Sequence, residues 1–259
     1  MTLKLNSMRI EAASVGSPKL CMLHGLMGSL RNWIPVGKAL AQGYEVHLID
    51  LRNHGASPWS TSMAWSDLSA DLLQYVECFE SEEPFHLLGH SFGGKVAMHF
   101  ATAYPERVAS LVVVDIAAKA YPPHYKEAFE AMLGLSLEHY STRQAVSEAL
   151  AEAIPELAFR ESMLTNLHRS DAGFSWKPNL KGLYHNLEAI RENPLSSEQC
   201  YLGRTLLIKG EHSDFVAEED LLLMRRHFPN LSFALMGGVG HNPHAQARSK
   251  LVHKLIEWL

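Results

Sequence analysis

The chain has 259 residues, 47% of them hydrophobic, and a formal net charge of −5 at pH 7. This length suits one large α/β domain or two smaller ones, and either can bury a large core. The mild negative charge and the lack of a Lys/Arg block argue against nucleic acid as a partner. The counts of 17 Gly and 12 Pro are ordinary and exclude collagen-like and disordered chains. Fifteen His residues are many beside 23 Lys and Arg, which raises the question of a metal site.

The sequence shows neither a targeting segment nor a membrane span. Its first residues, MTLKLNSMRIEAAS, lack the apolar stretch that a signal peptide requires. The longest apolar run, near Leu111–Val114, is far shorter than the roughly 18 residues of a spanning helix. Cys21, Cys78 and Cys200 are widely spaced, which is typical of a reducing compartment. We therefore expect a cytoplasmic protein.

Short apolar runs alternate with helix-length segments in the first third of the chain and again near its end. Continuous runs of this length favour strands that are buried on both faces of a parallel sheet. The predicted strands are Leu20–Leu23, Val46–Ile49, Phe85–Leu88, Leu111–Val114, Thr205–Lys209 and Ser232–Leu235. The predicted helices between them are Ser66–Glu80, Phe92–Tyr104, Glu218–His227 and Ala245–Trp258. The alternation predicts an α/β fold with a mostly parallel central sheet flanked by helices.

The middle of the chain differs, because no strand is expected between Tyr121 and Tyr201. Helical patterns separated by prolines cover His124–Gly134, Thr142–Ala153, Glu156–His168 and Leu183–Glu192. We predict a helical cap over residues 119–202, inserted into a core of residues 1–118 and 203–259. Most apolar side chains of the cap are expected to form its own core and some to face a substrate crevice: Met132, Leu133, Leu135, Tyr140, Met163, Leu164, Phe174, Trp176, Leu183 and Tyr184.

The segment Gly89-His90-Ser91-Phe92-Gly93 matches the pattern G-x-S-x-G. The five residues alone are a weak signal, because about one chain in ten of this length contains such a match by chance. Their position is more specific, since they follow a predicted strand and open a predicted helix. A strand–turn–helix of this kind is the nucleophile elbow of serine hydrolases. Ser91 is therefore the candidate nucleophile.

Two loops are candidates for binding an oxyanion through backbone N–H groups. Phe92 follows Ser91 at the start of the predicted helix, where free N–H groups and the helix dipole favour negative charge. Leu26 lies in the segment His24-Gly25-Leu26-Met27-Gly28, which follows the first predicted strand. We expect Leu26 and Phe92 to donate the two N–H groups, and His24 to stabilise its loop.

A serine nucleophile requires a general base, which a third group orients. In α/β-hydrolases the chain order is Ser, acid, His, with the His late in the chain. His241 ends the Gly-rich segment Gly237–Gly240, between the last predicted strand and the last helix, and is the candidate base. The neighbouring His244 is the competitor, but it is expected in or against the start of the helix.

The acid has two candidates. Asp115 ends the predicted strand that follows the Ser91 helix, which places it at the same sheet edge as Ser91. Asp214 lies in the loop after the predicted strand Thr205–Lys209, where many α/β-hydrolases carry their acid. The usual acid position in that loop, three residues past its Gly, is occupied by Ser213. The spacing favours Asp115 and leaves Asp214 open.

Four segments together resemble the YbfF-type esterases of the α/β-hydrolase superfamily. In chain order they are HGLMGS, DLRNHGASP, GHSFGGK with Lys95 at its end, and VVVDIAA; the cap segment Trp176–Leu180 is also similar to a segment of that family. The resemblance spans essentially the whole chain. It implies esterase activity on acyl esters, with thioesters of coenzyme A among the large substrates, and a helical cap that shapes a substrate crevice.

The resemblance also implies a catalytic tetrad of nucleophile, base, acid and a second serine. Carried onto this sequence, these are Ser91, His241, Asp115 and Ser213. This favours Asp115 as the acid, while the acidic Asp214 departs from the pattern and leaves a second acid open. Arg52 and Asn53 of the segment DLRNHGASP are expected to fix their loop rather than to act in catalysis.

No cofactor or metal is implied by the motifs. The sequence contains no H-E-x-x-H, no C-x-x-C and neither of the common Gly-rich phosphate-binding patterns. We therefore expect a serine hydrolase that acts on a small-molecule acyl ester or thioester through an acyl-enzyme. Two alternatives remain: a C–C bond hydrolase or elimination-type lyase on the same capped fold, and a ligand receptor without catalytic activity.

Overall fold

The computed structural model describes residues 2–79 and 82–259, and strands and helices alternate along most of them. The strands are β1 (Ser7–Ile10), β2 (Lys19–Leu23), β3 (Glu45–Ile49), β4 (Phe85–His90), β5 (Val108–Val114), β6 (Leu167–Ser170), β7 (Gly173–Trp176), β8 (Arg204–Gly210) and β9 (Leu231–Met236). The helices are α1 (Ile34–Leu40), α2 (Trp65–Val76), α3 (Phe92–Ala103), α4 (Lys126–Gly134), α5 (Arg143–Ala149), α6 (Leu157–Leu164), α7 (Leu180–His185), α8 (Leu187–Arg191), α9 (Asp220–His227), α10 (Pro243–Gln246) and α11 (Arg248–Trp258). None of these helices is long and apolar enough to span a bilayer.

Within the described residues, seven strands form one sheet in the order β1-β3-β2-β4-β5-β8-β9. β1 pairs antiparallel with β3, and the other neighbours in this sheet are parallel. Each apolar run of the sequence lies within one of these strands. The predicted α/β fold with a mostly parallel sheet is therefore confirmed.

The two faces of the sheet support separate hydrophobic clusters, because successive side chains of a strand point in opposite directions. Cys21 and Leu23 of β2 belong to the cluster that includes apolar side chains of α2 and α3. Leu20 and Met22 of the same strand belong to the cluster that includes α1 and α11. Burial on both faces explains why the strands appear in the sequence as unbroken apolar runs.

The carboxyl ends of the parallel strands meet at one edge of the sheet. β4 ends immediately before Ser91, and β5 ends immediately before Asp115. The loop after β8 contains Ser213, and the loop after β9 contains His241. In open α/β sheets this edge is where ligands bind.

The segment between β5 and β8 contains α4–α8, where four helical patterns are predicted, and also the antiparallel hairpin β6–β7. The predicted helix Leu183–Glu192 is divided between α7 and α8. The expectation that this segment has no strand is therefore wrong. Leu167 and His168 belong to β6 and not to a helix, because α6 ends at Leu164. The hairpin was not predictable by pattern, since all eight of its residues are exposed or half-buried and each strand has only four residues. The exact division into core and cap stays a prediction.

Other differences concern short or exposed elements. β1 is an edge strand without an apolar run, and α1 has only seven residues. The predicted helix Ala245–Trp258 is two helices, because Ala247 interrupts it with a non-helical backbone, φ −146° and ψ 51°. The predicted helix Ser66–Glu80 ends at Val76 in α2, and its last predicted residue lies outside the described residues.

The loop after β3 is fixed by buried polar contacts, in agreement with the expected role of Arg52 and Asn53. The guanidinium of Arg52 binds both carboxylate oxygens of Asp71 in α2, with Nε–Oδ2 and Nη2–Oδ1 distances of 2.7 and 2.8 Å. Asn53 has a left-handed φ of 65°, and its side-chain oxygen accepts from Asn179 Nδ2 at 3.0 Å. Asn53 therefore ties the loop to the segment that covers the sheet edge.

The buried ion pair gives a stability prediction. Asp71→Ala leaves the buried Arg52 guanidinium without its two-point partner and should lower the free energy of unfolding by about 3–5 kcal/mol, measured by urea denaturation. Arg9→Ala breaks an exposed pair with Glu45 and should cost less than about 1 kcal/mol. Equal losses in the two variants would contradict this prediction.

Candidate active site

Ser91 occupies the sharp turn between β4 and α3. Its φ of 51° and ψ of −121° lie outside the regions that non-glycine residues commonly adopt. The turn is tight: a Cβ on Gly89 would lie 2.2 Å from the carbonyl oxygen of Gly93, and a Cβ on Gly93 would lie 2.4 Å from the carbonyl oxygen of His24. The sequence can therefore form this turn only with glycine on both sides of Ser91.

His241 lies in the loop after β9 and contacts Ser91 directly. Its Nε2 is 3.0 Å from Ser91 Oγ. Its other ring nitrogen, Nδ1, is 2.7 Å from Asp115 Oδ2. In the neutral imidazole, Nδ1–H donates to the carboxylate, and Nε2 is then free to accept the hydroxyl proton. The three side chains thus form one hydrogen-bonded chain.

Asp115 is fully buried and follows β5 with a left-handed φ of 56°. Besides His241, its carboxylate accepts hydrogen bonds from the backbone N–H of Gly210, at 2.9 Å, and from the hydroxyl of Ser213. The structure thus brings Asp115 and Ser213 together with His241. Asp214, the other candidate acid, has an exposed side chain in the loop after β8.

Two further side chains hold His241, and the sequence reasoning did not assign them this task. His90 Nε2–H donates to the backbone carbonyl of His241 at 2.7 Å. The Phe215 ring stacks on the His241 imidazole with a centroid distance of 3.7 Å and an interplanar angle of 17°. The hydroxyl of Tyr121 donates to the Phe215 carbonyl at 2.7 Å and thereby fixes that loop. No motif marks Phe215 or Tyr121, because both act across distant segments.

The loop after β2 lies against Ser91, as expected for an oxyanion-binding loop. A Cβ on Gly25 would lie 3.3 Å from Ser91 Cβ, so this backbone passes close to the serine. His24 stabilises the loop, since its Nδ1–H donates to the Gly25 carbonyl and its Nε2 accepts from the N–H of Leu51. Leu26 and Phe92 both line the cavity that contains Ser91.

Several histidines near the site are buried and neutral. Burial lowers the pKa of His54 to about 3 and that of His244 to about 4, with smaller contributions from the charges of His24 and His241 respectively. Burial, and then the nearby His244 and His241, lower the pKa of His90 well below its usual range. Among the described residues no group of three or more His, Cys, Asp or Glu side chains is arranged to hold a metal ion.

Two cavities meet at Ser91. The smaller has a volume of about 60 Å³, and apolar side chains such as Ile116, Leu187 and Ile190 line it. The larger is a cleft of about 650 Å³ with polar and apolar walls. Of the cap side chains expected to face a crevice, Met163 lines this cleft, and in the described structure none of the others lines either cavity.

Comparison with known proteins shows the family of this chain. Residues 18–247 match the family model described as alpha/beta hydrolase fold. The chain belongs to the alpha/beta hydrolase family. This membership, together with the sheet topology, confirms the fold predicted from the sequence.

Curated relatives and solved structures agree with this membership. The chain is 33% identical over 254 residues to the sn-1-specific diacylglycerol lipase ABHD11 of Xenopus laevis, covering 95% of the chain and 81% of that protein. It is 25% identical over 263 residues to esterase YbfF of Escherichia coli K12, covering 100% and 99% of the two chains. A solved structure described as a marine microorganism esterase superposes with a TM-score of 0.94 at 30% identity and full coverage of both chains. The resemblance to YbfF-type esterases and the assignment to ester-hydrolysing enzymes are thereby confirmed.

The tight turn around Ser91 gives a prediction for its glycines. Gly89→Ala places a methyl group against backbone atoms that cannot move aside, and it should lower the free energy of unfolding by more than about 2 kcal/mol or prevent folding. The matched variant Gly43→Ala adds its methyl group where no atom lies within 4 Å, and its effect should stay within about 1 kcal/mol. Urea denaturation measures both, and a Gly89→Ala protein as stable as Gly43→Ala would contradict the prediction.

Proposed function

We propose that the chain hydrolyses acyl esters or thioesters through a covalent acyl-enzyme on Ser91. The observation that carries the proposal is the hydrogen-bonded chain from Ser91 Oγ through His241 to the buried Asp115 carboxylate. A nucleophile bonded to a base, and the base to an orienting acid, is the arrangement that activates a serine hydroxyl.

In the first half of the reaction, Ser91 Oγ attacks the carbonyl carbon of the substrate while its proton passes to His241 Nε2. The carbonyl oxygen becomes an oxyanion, which the N–H groups of Leu26 and Phe92 bind. When the tetrahedral intermediate collapses, the bond from the carbonyl carbon to the leaving group breaks. The leaving oxygen or sulfur takes the proton from His241, and the acyl group remains on Ser91.

In the second half, a water molecule attacks the acyl carbon and gives its proton to His241 Nε2. The bond to Ser91 Oγ then breaks, and Oγ recovers the proton from His241. The carboxylic acid leaves, and the enzyme returns to its starting state without a cofactor.

Asp115 and Ser213 support His241 in this cycle. The Asp115 carboxylate stabilises the imidazolium and holds Nδ1–H, so that Nε2 faces Ser91. Ser213 and the Gly210 N–H bind the same carboxylate and fix its orientation. Asp214 takes no part in this proposal, because its side chain is exposed.

The relatives support ester hydrolysis as the reaction, since their names describe a diacylglycerol lipase and an esterase. The thioester part of the proposal rests on the shared mechanism, because the same acyl transfer cleaves either bond. A cytoplasmic location is also part of the proposal, and the wide spacing of Cys21, Cys78 and Cys200 supports it.

The role of Ser91 is tested by Ser91→Ala. This variant should lower kcat for p-nitrophenyl butyrate by about five to six orders of magnitude, because it removes the nucleophile. A fluorophosphonate probe should label the wild-type protein at Ser91 and leave Ser91→Ala unlabelled, while urea denaturation shows that the variant is folded. Hydrolysis by Ser91→Ala at the wild-type rate would overturn the proposal.

The choice of acid is tested by a matched pair of variants. Asp115→Asn should lower kcat by about 10⁴-fold, because an amide cannot hold His241 in the tautomer that accepts the serine proton. Asp214→Asn makes the same change in the exposed neighbour of Ser213 and should leave kcat close to the wild-type value. The reverse order of the two losses, measured with the same ester, would assign the acid to Asp214.

A further inference from the structure

We propose that this site selects esters that join a short, uncharged acyl group to a larger, polar leaving group without negative charge. The inference rests on the proposed function, and it assigns the two cavities at Ser91: the small apolar pocket takes the acyl group, and the wide cleft takes the leaving group. Four observations carry it: the position of His241, the volume of the pocket, the charged groups that line it and the charge of the cleft.

The position of His241 decides which cavity takes which part of the substrate. His241 must donate a proton to the leaving oxygen, so the leaving group lies within hydrogen-bond reach of its Nε2. The imidazole of His241 lines the wide cleft, together with Asn242 and His212. In the described structure His241 does not line the small pocket, and Phe215, whose ring stacks on His241, lines both cavities. The acyl chain therefore extends into the small pocket.

The small pocket limits the length of the acyl chain. Its wall is almost entirely apolar. Ile116, the residue after Asp115, contributes to this wall, and so do Leu187 and Ile190 of α8. Its volume is about 60 Å³. A cavity needs roughly 10–15 Å³ for each water-sized group that it holds. The pocket therefore accommodates a chain of about four to six such groups.

Three Lys and Arg side chains of the described residues line the pocket; two of them are already bound, and the third, Lys126, is exposed to solvent. Lys95 Nζ donates to the carbonyl oxygens of Arg191 and Glu192 at 2.8 and 2.7 Å, and to that of Ile190 at 3.5 Å. The Arg191 guanidinium pairs with the carboxylate of Glu188. An acyl group with its own carboxylate would have to break these existing bonds or pair with the exposed Lys126, where solvent weakens an ion pair. An uncharged chain fits this lining best.

The charge of the cleft limits the leaving group. Among the described residues, those that line the cleft include Glu156 and polar side chains such as Asn32, Ser162 and Gln246, but no Lys or Arg. A phosphorylated leaving group requires cationic partners to offset its desolvation. The walls therefore favour a polar leaving group without phosphate, even though the volume of about 650 Å³ is sufficient for a large one.

The acyl preference is tested with p-nitrophenyl esters from acetate to decanoate, below their micelle-forming concentrations. We expect kcat/KM to be highest at about four to six carbons and to fall about tenfold or more for each carbon beyond that, since a misfit of one methylene costs about tenfold or more. The mono-p-nitrophenyl ester of glutaric acid should react more slowly than the pentanoate. A maximum at eight or more carbons, or a preference for the glutarate, would overturn the inference.

The pocket itself is tested by enlarging it. Leu187→Ala removes the part of the side chain that faces the acyl group, and it should move the maximum by about three carbons towards longer chains. Leu222→Ala makes the same change at a side chain that is 68% exposed in α9, and it should leave the wild-type profile unchanged. The same shift in both variants, or no shift in a folded Leu187→Ala protein, would overturn the assignment of the pocket.

The leaving-group preference is tested with two thioesters that differ only in one phosphate group, butyryl-pantetheine and butyryl-4′-phosphopantetheine. We expect kcat/KM for the phosphorylated thioester to be no higher than for butyryl-pantetheine, and a tenfold preference for the phosphorylated thioester would contradict the absence of phosphate contacts. These outcomes are distinct from failure of the proposed function. If no ester is hydrolysed in a Ser91-dependent way, the proposed function fails; if esters are hydrolysed with another profile, only the present inference fails.

Discussion

The buried Asp115 carboxylate is the constraint around which the site is built. A charge without exposure to water is costly unless hydrogen bonds satisfy it. Here the donors are the Gly210 N–H at the end of β8, the Ser213 hydroxyl in the next loop and His241 Nδ1 beyond β9. One carboxylate thus fixes the relative positions of three strand ends. The distance from His241 to Ser91 follows from this, because His241 has little freedom once Asp115, Phe215 and His90 hold it.

Much of the fold and the centre of the site could be predicted because they depend on local signals. Strands buried on both faces produce continuous apolar runs, and the elbow at Ser91 requires glycines that are visible as G-x-S-x-G. The structure brings Ser91, His241, Asp115 and Ser213 together. The high histidine count raised the question of a metal site, but four of these histidines are buried side chains near the loops at Ser91: His24, His54, His90 and His244.

The parts that could not be predicted depend on contacts between distant segments. The hairpin β6–β7 consists of two strands of four residues, and none of these residues is buried. The small pocket is formed by Leu187 and Ile190 of α8 against Ile116 of the core, and their apolar character alone does not distinguish a pocket wall from a packed core. This is why the sequence could not identify which of the apolar cap residues lines the crevice: Met163 does so, and most of the others belong to or pack against the core, as expected.

Lys95 connects the local and the distant features. It lies in α3 one turn after Ser91, and its buried ammonium binds the last carbonyls of α8, where the helix leaves backbone acceptors without internal partners. Burial lowers its pKa to about 7, opposed by Glu192, so holding this cation has a real energetic cost. Through these hydrogen bonds Lys95 fixes α8, which carries Leu187 and Ile190, to the same helix that positions the nucleophile. Lys95 therefore fixes the wall of the small pocket relative to Ser91. The acyl length that the pocket accepts thus depends on Lys95, which touches neither the reacting atoms nor the acid and base.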